Sequence, residues 1–137
     1  MNREIKFRFW DDVQEKMIYG LANAMSEWDS YRSYEVQDIL NDKTTMQYIG
    51  LKDKNGKEIY EGDIVDIGYR EGEFFAVVLF DTISTEYGDV AGFGLCDIRH
   101  YGTKLENQFL GSSGLEEIKK VVGNIHENSE LLNKKNK

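Results

Sequence analysis

The sequence predicts a mainly β protein: a small, twisted, antiparallel SH3-like β-barrel with an N-terminal β-hairpin subdomain and little helix. Three observations lead there. Residues 4–10 alternate charge with bulk, which is the period-two pattern of a half-buried strand. The run Phe74–Phe80 is apolar on both faces, as a central strand covered twice must be. Turn residues recur at short spacing, and no segment carries strong helical periodicity.

Each element can be justified in chain order. Ile5, Phe7 and Phe9 fall on one side of the first strand, and Glu4, Lys6 and Arg8 on the other. The polar run Asp11–Glu15 turns the chain, and Lys16–Tyr19 returns as the second arm of a hairpin. Residues 20–45 are the least regular. There a short helix over Tyr31–Leu40, capped by Ser26 or Ser30, competes with an irregular, partly extended course. Thr45–Ile49 is β-rich and Gly50 breaks it, after which Asn55-Gly56 supplies the positive φ angles of a tight turn.

Beyond Gly62, the residues Val65, Ile67 and Tyr69 share one face of a strand, and Glu71-Gly72 turns the chain into Phe74–Phe80. Gly88, Gly92 and Gly94 interrupt the next segment, which resumes as a strand over Phe93–Arg99. Residues 102–114 read as a long loop with a helical turn at Leu105–Leu110. Ile118–Ile125 reads as a late strand with Val122 inward, and Asn128–Leu132 as a short helix capped by Asn128 or Ser129, ahead of a basic tail. The expected organisation is a hairpin plus irregular segment (1–44), a barrel core (45–127) and a terminal helix with its tail (128–137), packed as one unit.

Composition bounds the function. A chain of 137 residues, 40% of them hydrophobic, suits one domain with a core. No apolar run is long enough to cross a bilayer and the N-terminus lacks a secretory pattern, so a soluble intracellular protein with no membrane partner is expected. The single Cys96 excludes an internal disulfide framework. Pro is absent, which leaves every turn to Gly, Asn, Asp or Ser.

The net charge of −8 is concentrated: residues 58–89 hold nine acids against Arg70 alone, and elsewhere acids and bases balance. Such acidity works against binding a phosphate backbone, for which Arg3, Lys6 and Arg8 form the one basic cluster outside the tail.

Candidate chemistry is sparse. Cys96 and His100 would share a strand face, but one Cys and two His cannot build a structural zinc site, and no group to orient a Cys–His pair is visible. Glu61, Asp63 and Asp66 offer carboxylates to a hard cation or a partner, without the loop of a calcium site. Trp28, Tyr31 and Tyr34, flanked by charges, are candidates for a protein-binding patch, with core packing as the competing role. No catalytic residue, metal or cofactor is expected.

Three ordered blocks carry a family resemblance. The first is Arg3-Glu4-Ile5-Lys6-Phe7-Arg8-Phe9-Trp10-Asp11, with Lys16-Met17 after the turn. The second and most specific runs from Met46 to Val65, through Gly50-Leu51-Lys52-Asp53-Lys54-Asn55-Gly56-Lys57-Glu58 and Tyr60-Glu61-Gly62-Asp63. The third is Val122-Gly123-Asn124-Ile125-His126-Glu127-Asn128-Ser129-Glu130-Leu131-Leu132. Together they resemble the YopX family of phage and prophage proteins. This chain departs from the family pattern at Phe9 (Ala is usual), Ile49 (Thr), His126 (Tyr) and Ser129 (Pro). The resemblance implies a mostly β phage or prophage protein working in the bacterial cytoplasm, and it carries over no catalytic residues.

The expected function is therefore a non-enzymatic accessory protein that binds a host or phage protein, with a homo-oligomer left open. Two alternatives stand beside it. One is an acidic mimic of nucleic acid, or antagonist of a host defence nuclease, which needs the acids of residues 58–89 on one face. The other is an enzyme, which needs carboxylates or Cys96 and His100 converging in a pocket.

Overall fold

Period-two patterning at the N-terminus resolves into a hairpin in the computed structural model, which describes residues 4–28, 44–68, 70, 72, 74–98, 115 and 118–134. Strands β1 (Phe7–Asp11) and β2 (Lys16–Tyr19) pair antiparallel, with Phe9 opposite Ile18. Helix α1 (Leu21–Trp28) follows at once and lays Ala24 and Trp28 on Phe9 and Ile18. The expected helix over Tyr31–Leu40 lies outside the described residues. Ser26, one of its expected caps, instead sits inside α1.

Strand β3 (Thr45–Lys52) pairs with β1 and then with β4 (Glu58–Tyr60), giving the first sheet the order β2-β1-β3-β4. Gly50 does not end β3, as the sequence predicted. It adopts φ +91° inside a bulge, where the register moves from Tyr48↔Tyr60 to Lys52↔Glu58. A bulge lets a glycine re-aim a strand while the ladder resumes on its far side.

The second sheet runs β7-β6-β5-β8 and is built from β5 (Asp63–Asp66), β6 (Phe75–Thr85), β7 (Gly88–Asp97) and β8 (Lys120–Asn124). Every pairing in both sheets is antiparallel. As expected, β6 is central and covered twice. Ala76 and Val78 join Ile59, Val65, Leu95 and Ile118 on one face, while Val77 joins Ile64 and Ile98 on the other. Val122 packs on that second face with Leu131 and Leu132 of a terminal 3-10 helix, Ser129–Lys134.

Strand β7 begins at Gly88, earlier than the glycine-broken reading allowed. Its ladder with β6 runs unbroken from Ala76↔Asp97 to Thr85↔Gly88, because backbone pairing needs no Cβ. The result is mostly β structure whose antiparallel sheet curls without closing, a half-barrel in place of the closed barrel expected.

Candidate functional site

Arg8 leaves β1 on the face opposite Phe9 and is buried among β4 and β5. Its Nη2–H donates to Asp63 Oδ1 at 2.8 Å and to the Glu61 carbonyl at 3.1 Å, and its guanidinium carbon lies 4.9 Å from the centre of the Tyr60 ring. Asp63 Oδ2 accepts the Tyr60 N–H at 2.8 Å. Burial pushes the Asp63 carboxyl up, and the Arg8 charge with the Tyr60 N–H works against that shift. Glu61 Oε1 accepts the Gln47 N–H at 2.9 Å, and burial raises this carboxyl too. Asp66, at the other end of β5, accepts N–H groups of Gly68 and Gly72 at 3.0 and 2.8 Å.

The other polar motif residues behave alike. Asp11 Oδ1 accepts the N–H groups of Val13 and Gln14, and its Oδ2 accepts the Trp28 indole N–H at 3.1 Å. Asp53 closes the Asn55-Gly56 turn with Oδ1 and reaches β8 with Oδ2, which accepts the Val121 N–H at 2.9 Å. Burial alone would raise the Asp53 carboxyl, but donors from Val121, Lys57 and Asn55 together hold it below the usual range. Asn128 Oδ1 accepts the Asn124 N–H at 3.1 Å, so its side chain bonds backward into β8 rather than forward to cap the 3-10 helix.

These placements locate the residues expected to bind a partner. Trp28 is only 1% exposed and stands edge-on to Phe9, with ring centres 5.7 Å apart. Asp63 and Asp66 are buried, and Glu61 is half-buried against β3. Tyr31 and Tyr34 lie outside the described residues. The structure thus brings Glu61 and Asp63 together around Arg8 and sets Trp28 apart in the α1 core.

Cys96 is buried on β7 with its S–H 3.6 Å from the Asp97 carbonyl, and burial pushes the thiol up, away from the thiolate that nucleophilic chemistry needs. His100 lies outside the described residues. Among the described residues, no three His, Cys, Asp or Glu side chains stand close enough to hold a metal ion.

One concavity stands out, of about 550 Å³, lined by Ile5, Lys6, Phe7, Tyr19, Gly20, Leu21, Glu58 and Tyr60. Lys6 bridges Glu4 and Glu58 across its rim, and these carboxylates hold the ammonium well above its usual range. Burial likewise raises the Tyr60 phenol, which stands edge-on to Tyr19 at 5.9 Å. Lys6 and Tyr60 are thus held in their protonated forms, Glu58 is paired with Lys6, and Ile5, Phe7 and Leu21 supply the apolar part of the lining.

A different surface escaped the sequence reading. Along the β6–β7 ribbon, Ala76–Val78 and Gly94–Cys96 are buried, whereas Phe80–Thr82 and Glu86–Ala91 are exposed. Pairing of β6 with β5 ends at Val77. The ribbon therefore runs on past its pairing with β5 by roughly 26 Å, at the ordinary rise of a strand. Phe80 and Phe93 face each other on it edge-to-face at 5.2 Å, and Phe80, Tyr87 and Val90 are 54%, 93% and 59% exposed. The sequence offers a signal here: Phe80 opposite Phe93 follows from the hairpin once Glu86-Tyr87, just ahead of Gly88, is read as its two-residue turn.

Fold and site define a class: a mainly β, antiparallel protein whose buried polar motifs fasten one element to another and whose outer ribbon carries exposed Phe80, Tyr87 and Val90. The chain belongs to the YopX family of phage and prophage proteins, whose model matches residues 6–133. Among solved structures it is similar to the crystal structure of protein EF1440 from Enterococcus faecalis, at 23% identity over 96% of this chain and 99% of that one, with a TM-score of 0.46. No curated protein matches it. No helix among the described residues is long and apolar enough to cross a membrane.

Proposed function

We propose that this chain is a non-enzymatic phage or prophage accessory protein that works in the bacterial cytoplasm by binding a host or phage protein. The observation that carries the proposal is the outer β6–β7 ribbon, which holds exposed Phe80, Tyr87 and Val90 beyond the part of the sheet that packs the core. Apolar side chains placed where they add nothing to the core mark a contact surface. The buried thiol of Cys96 and the pairing of Glu58 with Lys6 at the cavity count against the enzyme reading.

The mimic reading is supported less well. Asp63 and Asp66 are interior, Glu58 and Glu61 are bonded to Lys6 and Gln47, and among the described acids of the stretch only Asp81, Glu86 and Asp89 stand exposed, on the ribbon. Direct nucleic-acid binding is supported no better, since Arg8 is held by Asp63 and Lys6 by Glu4 and Glu58. The test is capture on the tagged full chain in lysogenic or infected cells, with and without nuclease. A protein that survives nuclease and rebinds once purified supports the proposal. Recovery of nucleic acid alone, or of nothing above an empty-tag control, overturns it. Light scattering on the pure chain measures self-association.

A further inference from the structure

The outer ribbon also carries a charge pattern that specifies its partner. From Phe74 to Ile98 the chain contains Asp81, Glu86, Asp89 and Asp97 and no Lys, Arg or His. The register puts Phe80, Phe93, Ala91 and Asp89 on one face, and Asp81 with Val90 on the other. Each face thus presents apolar side chains with a carboxylate beside them. Asp81 and Asp89 are both exposed, and the ribbon holds no base to oppose their charge.

Resting on the protein-binding reading above, we propose that the β6–β7 ribbon docks an extended polypeptide segment of a partner protein in which Lys or Arg alternates with apolar residues. Added along the edge strand β7, such a segment sends its cations to one face of the ribbon and its apolar side chains to the other: cations beside Asp89 leave apolar side chains by Val90, and cations reaching Asp81 across Gly92 leave apolar side chains by Phe93 and Ala91. The alternation matches the ribbon because both strands project side chains with period two. A second copy of this chain is a poor occupant, because pairing ribbon with ribbon sets acid against acid. A phosphate backbone or an anionic membrane surface meets the same repulsion.

The experiment is amide NMR on the isotope-labelled full chain, titrated with a short peptide alternating Lys and Val and with its Glu/Val and Thr/Val counterparts. The Lys/Val peptide is expected to shift amides of residues 80–93, with an affinity that falls as salt rises, and the other two to bind far more weakly. The paired variant Asp81→Asn/Asp89→Asn, which removes the carboxylate of either face, should weaken that affinity by about threefold to fivefold, the effect of losing one exposed ion pair. An equal-charge control, Asp12→Asn/Glu130→Gln, should not. Shifts centred elsewhere, equal binding of the Thr/Val peptide, equal weakening by the control, or a ribbon-mediated dimer in light scattering would each overturn the inference. These outcomes leave the cellular capture result intact, so failure of the partner's chemistry is distinguishable from failure of the binding reading.

Discussion

Arg8 and Asp63 make the most consequential side-chain bond in the molecule, because both are interior and each neutralises the other. Arg8→Ala leaves the Asp63 carboxylate buried without its counter-charge, and is expected to cost about 3–5 kcal/mol in urea unfolding, with much of that recovered in the Arg8→Met/Asp63→Leu pair. His126 offers a second test at this scale. It stacks on Trp10 at 5.3 Å, and burial, then the nearby Arg8 charge, lowers its pKa below 6.5. A histidine with a depressed folded pKa binds fewer protons folded than unfolded. Its contribution is therefore intact above the unfolded value and is lost as pH falls through the folded one. An imidazole NMR titration should place the His126 midpoint below 6.5, and His126→Phe should flatten the stability profile between there and that midpoint. The sequence located Asp63, Asp66 and Trp28 as chemically notable, but not what they do. Burial and bonding come from Arg8, Gly72 and Asp11, residues up to 55 positions away, and no local pattern states those partners.

Among the elements, the β6–β7 ribbon is divided between core and surface. Its inner part packs both faces of the second sheet, while Phe80–Thr82 and Glu86–Ala91 of its outer part are exposed. Replacing Thr82–Ala91 by an Asn-Gly turn should keep cooperative unfolding, with the main stability loss confined to the shortened ladder; collapse of the fold on this change would show that the outer ribbon carries the core. Gly62 behaves oppositely. At φ +83°, with the Met46 sulfur 3.0 Å from where a Cβ would sit, Gly62→Ala should destabilise by about 1–3 kcal/mol in the same assay. Most strands were legible because alternation and Asx-Gly turns are local signals. Helix α1 was legible in principle, since Leu21, Ala24 and Trp28 recur at helical spacing, but it starts after Gly20 with no Ser, Thr, Asp or Asn to announce it. The length of β7 was hidden for a different reason: its glycines contribute ladder bonds that sequence pattern does not register.

At the scale of the whole molecule, the three sequence blocks that mark the family are fastened to one another. Arg8 of the first meets Asp63 of the second, and Asp53 of the second reaches into β8 beside the third. That arrangement assigns the motifs to holding the curled sheet together, and the partner contact we propose falls on the ribbon, outside all three blocks. The exposed half of that assignment was not legible from composition, because the acids of residues 58–89 look uniform until burial separates Asp63 and Asp66 from Asp81 and Asp89. The most direct test is quantitative capture from lysogenic cells with three folded baits: the full chain, the chain with Thr82–Ala91 replaced by Asn-Gly, and Tyr19→Ala at the cavity. The account predicts that the shortened ribbon loses the partner while the full chain and Tyr19→Ala retain it. Equal capture by the shortened ribbon, or loss confined to Tyr19→Ala, would contradict it.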